Sequence, residues 1–370
     1  MPEGHTVHRL ARTFDTLYAG QVLRVSSPQG RFADGAGVLD GRRLVASEAW
    51  GKQLFLGFVP DGAPGDVSDV QVTGVTCTSD TLWLRTHLGL YGAWTFAGAP
   101  DAPEVAHAIG APRRRIGERD SVPASAASSS VSDVQIPPVT HASDTWDVPE
   151  PRGQVRVRLL GAHAVADLTG PTACEVITAD EKQAVEARLG PDPIRDDGDP
   201  EAFVARVGRS RVTIGQQLMD QAVVAGVGNI YRAEALFRAG VDPLRPGREV
   251  PTASVRAIWD DLVGLMRDGA DHGAIVTTRP EDRDGASSSQ PGSRQARPAE
   301  AVATSSAEAV AASGRGRTRQ NTDGAPGAVP SDQAFYVYHR DGLPCRVCGS
   351  PVLVKELAGR NLFWCGTCQT

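Results

Sequence analysis

The sequence predicts an α+β protein. A helix and an antiparallel β-sandwich come first, a helical domain follows, and a four-cysteine β-hairpin zinc finger ends the chain. Three patterns support this order: short runs of alternating apolar and polar residues in the first half, helical apolar spacing from Thr178 onward, and two Cys-x2-Cys pairs at the end. Because Gly (40) and Pro (26) are plentiful and aromatic residues make up only 5%, we expect unstructured stretches between the folded parts.

The first domain begins with a helix over residues 5–18, whose apolar residues recur at helical spacing. Alternating runs then predict strands of the sandwich at 21–26, 42–47, 52–59, 81–87, 92–96, 154–160 and 164–168. The segment from His87 to Gly92 forms a tight loop with Leu90 and Tyr91 at its tip. Such an apolar pair either packs beneath its loop or inserts between base pairs of a nucleic acid, and composition leaves both interpretations open.

Two low-complexity tracts interrupt the chain. Residues 99–150 are rich in Ala, Ser, Pro and Asp, and residues 279–332 in Ser, Ala, Arg, Gly and Pro. We predict both as disordered insertions or linkers, since the cost of closing a loop grows slowly with its length. The predicted domains are therefore 1–175, 176–278 and 333–370, with 279–332 as a linker.

The second domain is predicted to be helical and basic. Helical periodicity covers residues 182–189, 200–207, 214–220, 229–239 and 253–268. Residues 203–248 hold seven Arg against three Asp and Glu, a net charge of +4, whereas the whole chain carries −6. The local charge favours a nucleic-acid partner that the global charge would exclude.

A glycine-rich turn, Ala225-Gly226-Val227-Gly228-Asn229, lies between two of these helices. A helix N-terminus preceded by flexible backbone offers free N–H groups to a phosphate. The arginines that flank it are Arg206, Arg209, Arg211 and Arg232. Because the turn lacks the Lys-Ser/Thr of a P-loop and the third glycine of a dinucleotide fingerprint, we predict a helix–two-turn–helix that contacts a DNA backbone. A plain glycine helix cap is the alternative.

The chain ends in two cysteine pairs separated by 16 residues. They are Cys345 with Cys348 and Cys365 with Cys368. In a reducing cytosol this spacing predicts one tetrahedral Zn²⁺ site on a β-hairpin, and four sulfur ligands leave no position for a substrate, so we expect a structural metal. Cys77 and Cys174 are isolated and expected to be inert. Because no apolar run is long enough for a membrane span and no signal-peptide pattern opens the chain, we expect a cytoplasmic protein.

The opening residues Met1-Pro2-Glu3-Gly4 hold candidate catalytic groups. Removal of Met1 would leave Pro2 with a free secondary amine, which can attack an electrophilic carbon, and Glu3 places an acid/base group beside it. Lys52 follows Gly51 at the start of a predicted strand. Taken alone, an ordinary N-terminus and a solvated lysine are the simpler interpretations.

The joint order of these features resembles the formamidopyrimidine-DNA glycosylase/endonuclease VIII family of base-excision repair enzymes, and within it the actinobacterial endonuclease VIII branch. The likeness covers nearly the whole chain outside the two tracts. The stretches that carry it are MPEGHTVHRLAR, SSPQGRFADG, WGKQLF, HLGLYG, MDQAVVAGVGNIYR, PCRVCG and GRNLFWC.

The resemblance implies a catalytic role for four residues. The amine of Pro2 would attack C1′ of a damaged nucleotide and form a Schiff base, and Glu3 would protonate the opening sugar or the leaving base. Lys52 would act as a general acid/base in β-elimination and contact a phosphate. Arg360 of the finger would hold the phosphate beside the lesion and take part in δ-elimination.

Further matches imply contacts with DNA. Asn229 would hold the backbone, and Arg188 matches a DNA-contacting arginine of endonuclease VIII. Leu90 and Tyr91 match the loop that fills the space of an extruded base, although Gly89 departs from the family at the residue before them. The resemblance thus implies a bifunctional DNA glycosylase/AP lyase that acts as a monomer on damaged double-stranded DNA, without a nucleotide cofactor or a membrane.

Oxidised pyrimidines are the predicted substrates, because residues 279–332 fall where purine-specific members carry a lesion-capping loop and their composition shows no such cap. The alternatives are the same scaffold acting on oxidised purines (8-oxoguanine or formamidopyrimidine), a non-catalytic zinc-ribbon protein that binds damaged DNA, and a ribbon that serves as a protein-interaction module. The joint presence of Pro2, Glu3, Lys52 and Arg360 argues against the non-catalytic alternatives, since binding needs neither an amine nor a carboxylate at the N-terminus.

Overall fold

The computed structural model describes residues 2–62, 80–99, the backbone of 108–110, 146–283, 329–330 and 332–370. Cys77 and most of the tracts 99–150 and 279–332 lie outside these residues. The chain divides into two compact units. The sheet unit holds Pro2, Leu10–Ala49 and Gln53–Gln183, and the helical unit holds Glu3–Arg9, Trp50–Lys52 and Ala184–Thr370. Glu3 and Lys52 therefore belong with the helices rather than with the strands next to them in sequence.

The sheet unit is built from antiparallel strands. In chain order they are β1 (Val22–Ser26), β2 (Arg42–Trp50), β3 (Gln53–Pro60), β4 (Leu82–His87), β5 (Ala93–Gly98), β6 (Ala108–Gly110), β7 (Val155–Leu160), β8 (Ala164–Thr169) and β9 (Ala173–Ile177). Within the described part of the chain they hydrogen-bond in the order β6-β5-β8-β7-β1-β2-β3-β4-β9. The first two residues of β1 pair with β2 and its last three pair with β7, so this strand joins the two halves of the sheet.

The core of the sheet unit follows the alternation in the sequence. Val155, Val157 and Leu159 of β7 are buried, while the arginines between them are partly exposed. Helix α1 (Gly4–Tyr18) contributes Phe14, whose ring packs edge-on against Trp94 with centroids 4.8 Å apart. The predicted first helix and the predicted strands are thus confirmed, with ends that differ by one to three residues.

Strand β6 lies inside the tract 99–150 that we predicted as a disordered insertion, and its backbone pairs with β5. Two other elements of the sheet unit were not predicted either. Helix α2 (Ala33–Leu39) contains Gly35 and Gly37, which lower helix propensity, and only two of its residues are buried. Strand β9 pairs with β4, from Trp83 opposite Ile177 onward, but shows one buried residue and no alternation. Both elements depend on tertiary contacts that a local pattern does not record.

The remaining helices are α3 (Ala179–Glu186), α4 (Pro200–Arg209), α5 (Ile214–Gln217), α6 (Asn229–Arg238) and α7 (Thr252–His272), with 3₁₀ turns at Gly247–Glu249 and Pro280–Asp282. Helix α4 begins where the Asp199 side chain accepts a hydrogen bond from Ala202 N, and α7 ends at Gly273 with φ of 74°. Helix α5 is shorter than predicted, because the Asp220 side chain accepts from Ala222 N and turns the chain. None of the helices in the described part is long and apolar enough to cross a membrane.

The C-terminal finger is a β-hairpin. Strand β10 (Leu353–Leu357) pairs with β11 (Arg360–Trp364) in antiparallel register. The two residues between them, Ala358 and Gly359, have φ of 52° and 72°, the left-handed conformation that two-residue hairpin turns require. Arg360 pairs with Leu357, so it is the first residue of β11 rather than part of the turn. The predicted α+β class, with a terminal hairpin that carries the cysteines, is confirmed.

Candidate active site

The carboxylate of Glu3 caps the N-terminus of α6. Glu3 is 1% exposed, and its oxygens accept hydrogen bonds from Gly228 N at 2.8 Å and Ile230 N at 2.9 Å. A Cβ at Gly228 would lie 2.5 Å from the Glu3 carboxyl carbon, so only glycine permits this approach. The glycine-rich turn that we predicted to offer N–H groups to a phosphate gives them to this carboxylate.

Burial shifts the titration of Glu3 and Lys52 in opposite directions. Desolvation raises the pKa of Glu3, opposed by the charge of Lys52 and by N–H groups of α6. Desolvation also lowers the pKa of Lys52, opposed by the charge of Glu3 and supported by that of Arg360. A carboxyl with a raised pKa and an amine with a lowered pKa are suited to act as an acid and a base. The structure therefore brings together three residues that are far apart in sequence.

Lys52 is positioned by the turn before β3. Gly51 has φ of 59°, and a Cβ there would lie 2.9 Å from the Ala225 Cβ, so the turn packs directly on the glycine-rich segment. The N–H of Gly51 donates to Asp192 Oδ2 at 2.7 Å, and His8 Nε2 lies 2.8 Å from the same oxygen. Asp192 was not singled out from the sequence. The sequence shows Asp192 only as an acidic residue in the segment Gly190-Pro191-Asp192-Pro193, where a helix is expected to end.

Asn229 and Arg232 hold the tip of the finger. Asn229 Nδ2 donates to the Asn361 carbonyl at 3.0 Å, and Arg232 Nη2 donates to the same carbonyl at 3.2 Å. Arg232 was predicted to flank a DNA backbone, but it is 0% exposed and also bonds Asn229 and the Gly215 carbonyl. Burial lowers the pKa of Arg232 to about 10. This arginine is internal because α6 turns it towards the finger and away from solvent.

Arg360 lies next to Asn361 and is exposed. Tyr338, which the sequence analysis did not single out, is hydrogen-bonded to the Asn229 side chain, and burial raises its pKa to about 12. Its ring meets Phe363 of β11 edge-on, with centroids 5.5 Å apart. The signal for Tyr338 in the sequence is the aromatic run immediately before the first cysteine pair.

The four C-terminal cysteines form one cluster. Their sulfurs all lie within 4.8 Å of one another, with Cys348 and Cys365 3.5 Å apart and Cys345 and Cys368 3.9 Å apart. A tetrahedral site with Zn–S distances of about 2.3 Å separates its sulfurs by about 3.8 Å. The donor set and its spacing fit a zinc ion. Cys174 lies outside the cluster, and burial raises its thiol pKa to about 12, as expected for an inert cysteine.

The remaining predicted residues are Pro2, Leu90, Tyr91 and Arg188. Pro2 is buried and adjoins Glu3 in sequence. In the sheet unit Leu90 is half-buried and Tyr91 is 47% exposed, at the tip of the loop between β4 and β5. Arg188 is exposed and lies beyond the end of α3.

Family models match two segments of the chain. Residues 189–280 match the formamidopyrimidine-DNA glycosylase H2TH domain, and residues 342–370 match the zinc finger found in FPG and IleRS. The first match includes α4 to α7 and the capped turn before α6. The second match contains all four clustered cysteines and Arg360. Glu3 and Lys52 lie outside both matched segments.

Curated relatives match the chain over different lengths. Endonuclease 8 1 of Mycobacterium tuberculosis is 38% identical over 370 residues, covering 100% of both chains. Formamidopyrimidine-DNA glycosylase of Geobacillus kaustophilus is 29% identical over 183 residues, 50% of this chain and 52% of the relative.

Solved structures share the fold. Lactococcus lactis Fpg in complex with DNA containing an abasic site superposes with a TM-score of 0.59 at 16% identity, over 100% of this chain and 99% of that one. MutM (FPG) of Thermus thermophilus superposes with a TM-score of 0.57 at 22% identity, over 100% and 98%. The likeness thus extends through the whole fold.

Proposed function

We propose a substrate and a mechanism for this chain, which belongs to the formamidopyrimidine-DNA glycosylase/endonuclease VIII family of DNA glycosylases and AP lyases of base-excision repair. It removes oxidised pyrimidines from duplex DNA through a Schiff base on Pro2. It then cleaves the strand by β,δ-elimination. The observation that carries this proposal is the buried pair of Glu3 and Lys52. Glu3 adjoins Pro2 in the chain, and the two titratable groups have pKa values shifted towards each other. Such a pair can donate and accept protons over a pH range in which exposed carboxyl and lysine groups do not.

Base removal uses Pro2 and Glu3. After loss of Met1, the Pro2 nitrogen attacks C1′ of the damaged nucleotide, and the bond between C1′ and the base breaks with its electron pair going to the base. The bond between C1′ and the ring oxygen then breaks with its electron pair going to that oxygen. The two protons that the leaving base and the ring oxygen need come from Glu3 and from the N–H of the attacking amine. The raised pKa of Glu3 keeps its proton available at a pH where an exposed carboxyl would have lost it. The product is an iminium that joins Pro2 to the open sugar.

Strand cleavage uses Lys52 and Arg360. The iminium withdraws electrons and acidifies C2′–H, so a neutral Lys52 amine can take that proton while the 3′ phosphate leaves. Loss of a C4′ proton then expels the 5′ phosphate, and Arg360 stabilises the charge on a departing phosphate. Water hydrolyses the remaining imine and restores the amine. Burial of Lys52 favours the first elimination, because it lowers the pKa of the amine that takes the C2′ proton.

DNA binding is assigned to groups outside the acid/base pair. We infer that Asn229 and Arg360 hold the backbone at the lesion and that Arg188 contacts it further along. Leu90 and Tyr91 fill the space of the extruded base. Tyr91 is 47% exposed at the tip of its loop, so its ring is accessible to DNA, as an inserted side chain must be. The oligomeric state that we propose is a monomer.

Oxidised pyrimidines are proposed over oxidised purines on two grounds. The match to mycobacterial Endonuclease 8 1 covers the full chain, whereas the match to a formamidopyrimidine-DNA glycosylase covers half of it. The composition of residues 279–332 also lacks a lesion-capping pattern.

A panel of duplexes, each with one oxidised base, tests the choice between pyrimidine and purine lesions when the product ends are resolved on a gel. Cleavage of 8-oxoguanine in preference to every pyrimidine lesion would overturn it, and no cleavage of any lesion or abasic site would overturn the enzyme itself.

One Zn²⁺ is proposed at the cysteine cluster, with a structural role. Four thiolates complete a tetrahedron, so the metal fixes the hairpin that presents Arg360 and takes no substrate. Removing the metal with a chelator, or the Cys365→Ser change, is expected to unfold the hairpin and sharply weaken binding to abasic-site DNA. Metal analysis and a binding titration check this. Cys174→Ser, at an isolated thiol, should keep one zinc per chain, and undiminished DNA binding after complete metal removal would contradict the role.

The two chemical steps should have different pH profiles. Base excision requires protonated Glu3, so its rate should fall as pH rises through the raised pKa of that carboxyl. Cleavage of preformed abasic sites requires neutral Lys52, so its rate should rise with pH and level off below the ordinary lysine range. Single-turnover rates on a lesion duplex and on an abasic duplex measure both profiles. Superimposable profiles would contradict the assignment of separate groups.

A further inference from the structure

Glu234 is a fully buried carboxylate that the chemistry above does not use. It lies on α6, is 0% exposed, and accepts hydrogen bonds from three consecutive backbone N–H groups. These are Tyr336 N at 2.8 Å, Val337 N at 2.9 Å and Tyr338 N at 2.8 Å. The hydroxyl of Thr277 donates to the same carboxylate. These four donors satisfy the buried carboxylate, which would be costly to bury without hydrogen bonds. They also hold residues 336–338, called the anchored segment below, against α6.

The anchored segment leads directly to the finger. Tyr338 packs edge-on against Phe363, and His339 lies 5.0 Å from the same ring. Phe363 belongs to β11, which begins at Arg360. Tyr338 is also hydrogen-bonded to Asn229. A displacement of residues 336–338 would therefore move both the aromatic contact beneath the hairpin and a partner of Asn229.

The residues just before the anchored segment are bonded to the chain that follows α7. Thr277 N donates to the Ala334 carbonyl at 2.9 Å, and Thr278 Oγ1 donates to the Gln333 carbonyl at 2.7 Å. Tyr336 stacks on Phe237 of α6, with centroids 4.7 Å apart. The finger is thus attached to α6 by contacts of its own, at the place where residues 277–278 meet residues 333–334.

We propose that Glu234 is a positioning residue that holds residues 336–338 against α6 and, through Tyr338 and Phe363, sets the position of Arg360. This inference rests on the proposed role of Arg360 in δ-elimination. The hydrogen bonds of Glu3 go to the N-terminus of α6, whereas residues 336–338 bond to Glu234, further along that helix. The charge of Glu3 adds to burial in raising the pKa of Tyr338, so Glu3 acts on the segment through its charge. Loss of Glu234 should therefore spare the Schiff base and the first elimination and impair the second.

The Glu234→Gln variant tests the proposal. Glutamine has nearly the same shape as glutamate, but it carries an NH₂ group in place of one carboxylate oxygen. This group cannot accept hydrogen bonds, so the buried N–H groups that donated to that oxygen lose their partner. Three quantities are compared with wild type and with Glu249→Gln, a change at an exposed glutamate of the same unit. They are zinc content, amide hydrogen exchange of residues 336–338 in the free protein, and the ratio of δ- to β-elimination product on abasic DNA.

We expect the Glu234→Gln variant to keep one zinc per chain. Its amide hydrogen exchange at residues 336–338 should be about tenfold or more faster than in wild type, because buried N–H donors have lost their acceptor. The ratio of δ- to β-elimination product should fall by a similar factor. Borohydride trapping on abasic DNA, measured with protein at saturating concentration so that weaker DNA binding does not limit it, should remain within about twofold of wild type, since the groups that form the Schiff base are untouched. Unchanged exchange, or faster exchange with an unchanged δ/β ratio, would overturn the proposal.

If the Glu234→Gln variant loses its zinc or does not fold, a second variant with a smaller change tests the proposal. Thr277→Val removes one of the four donors and keeps the side-chain shape, so a smaller shift in the same direction is expected, and no shift would overturn the proposal. If wild-type protein forms no Schiff base, the proposed function fails, while the exchange measurement on free protein still decides whether Glu234 anchors the segment.

Discussion

A chain whose Pro2 is kept inside a peptide bond by a short N-terminal extension is expected to give no borohydride-trapped complex and no cleavage of abasic DNA. The lone pair of an amide nitrogen is delocalised into the carbonyl, so it cannot attack C1′. The whole covalent path is lost rather than slowed. The measurement is denaturing gel electrophoresis of labelled abasic duplex after borohydride treatment.

The matched control is the same protein after a protease has removed the extension and exposed the Pro2 amine. Trapping and cleavage should return together, because the two samples then differ only in whether the amine is free. Affinity for abasic DNA should be similar before and after removal if the groups of the helical unit supply most of the binding. Full trapping by the extended chain would exclude Pro2 as the nucleophile.

Glu3→Gln is expected to slow excision of an oxidised base by about 10²–10⁴-fold, the usual contribution of a general acid, and to slow cleavage of preformed abasic sites much less. The difference arises because an abasic sugar has no base to protonate. Single-turnover rates on the two duplexes give the ratio directly. Equal losses on both substrates would show that Glu3 serves the elimination steps rather than base release.

The structural part of that change can be separated from the chemical part. Glu3 also caps α6 through Gly228 N and Ile230 N, and a glutamine oxygen retains part of this cap. Loss of a cap typically costs about 1 kcal/mol of stability. Thermal unfolding of the variant measures this cost. A modest drop in Tm with a large drop in excision rate supports a chemical role.

The elements that the sequence predicted best are those whose signal is local. Helix α1, the strands with strict alternation and the hairpin with its cysteine pairs each repeat one residue type at one spacing, so neighbours in sequence are enough to define them. The motif residues Glu3, Lys52, Asn229 and Arg360 were nominated by resemblance. The structure shows why the first two belong together: Gly228 and Gly51 let two distant turns approach within van der Waals contact.

What the sequence analysis missed depends on partners far along the chain. Arg232 was expected at the surface because arginine usually is, but its guanidinium bonds the carbonyl of Asn361, more than a hundred residues away. Asp192 is bonded to Gly51 and His8, and Glu234 to Tyr336 and Val337, all of them more than a hundred residues away along the chain. A carboxylate carries no mark in the sequence that tells a buried anchor from a solvated charge. Such residues emerge only once the fold is known.

The central claim, that the Pro2 nitrogen is the nucleophile, is tested most directly by locating the covalent adduct. Borohydride reduces the Schiff base to a stable amine, and digestion followed by tandem mass spectrometry identifies the modified residue. The account predicts a sugar fragment on the N-terminal peptide that begins at Pro2, with Met1 absent. An adduct on Lys52, the other amine of the site, would contradict it.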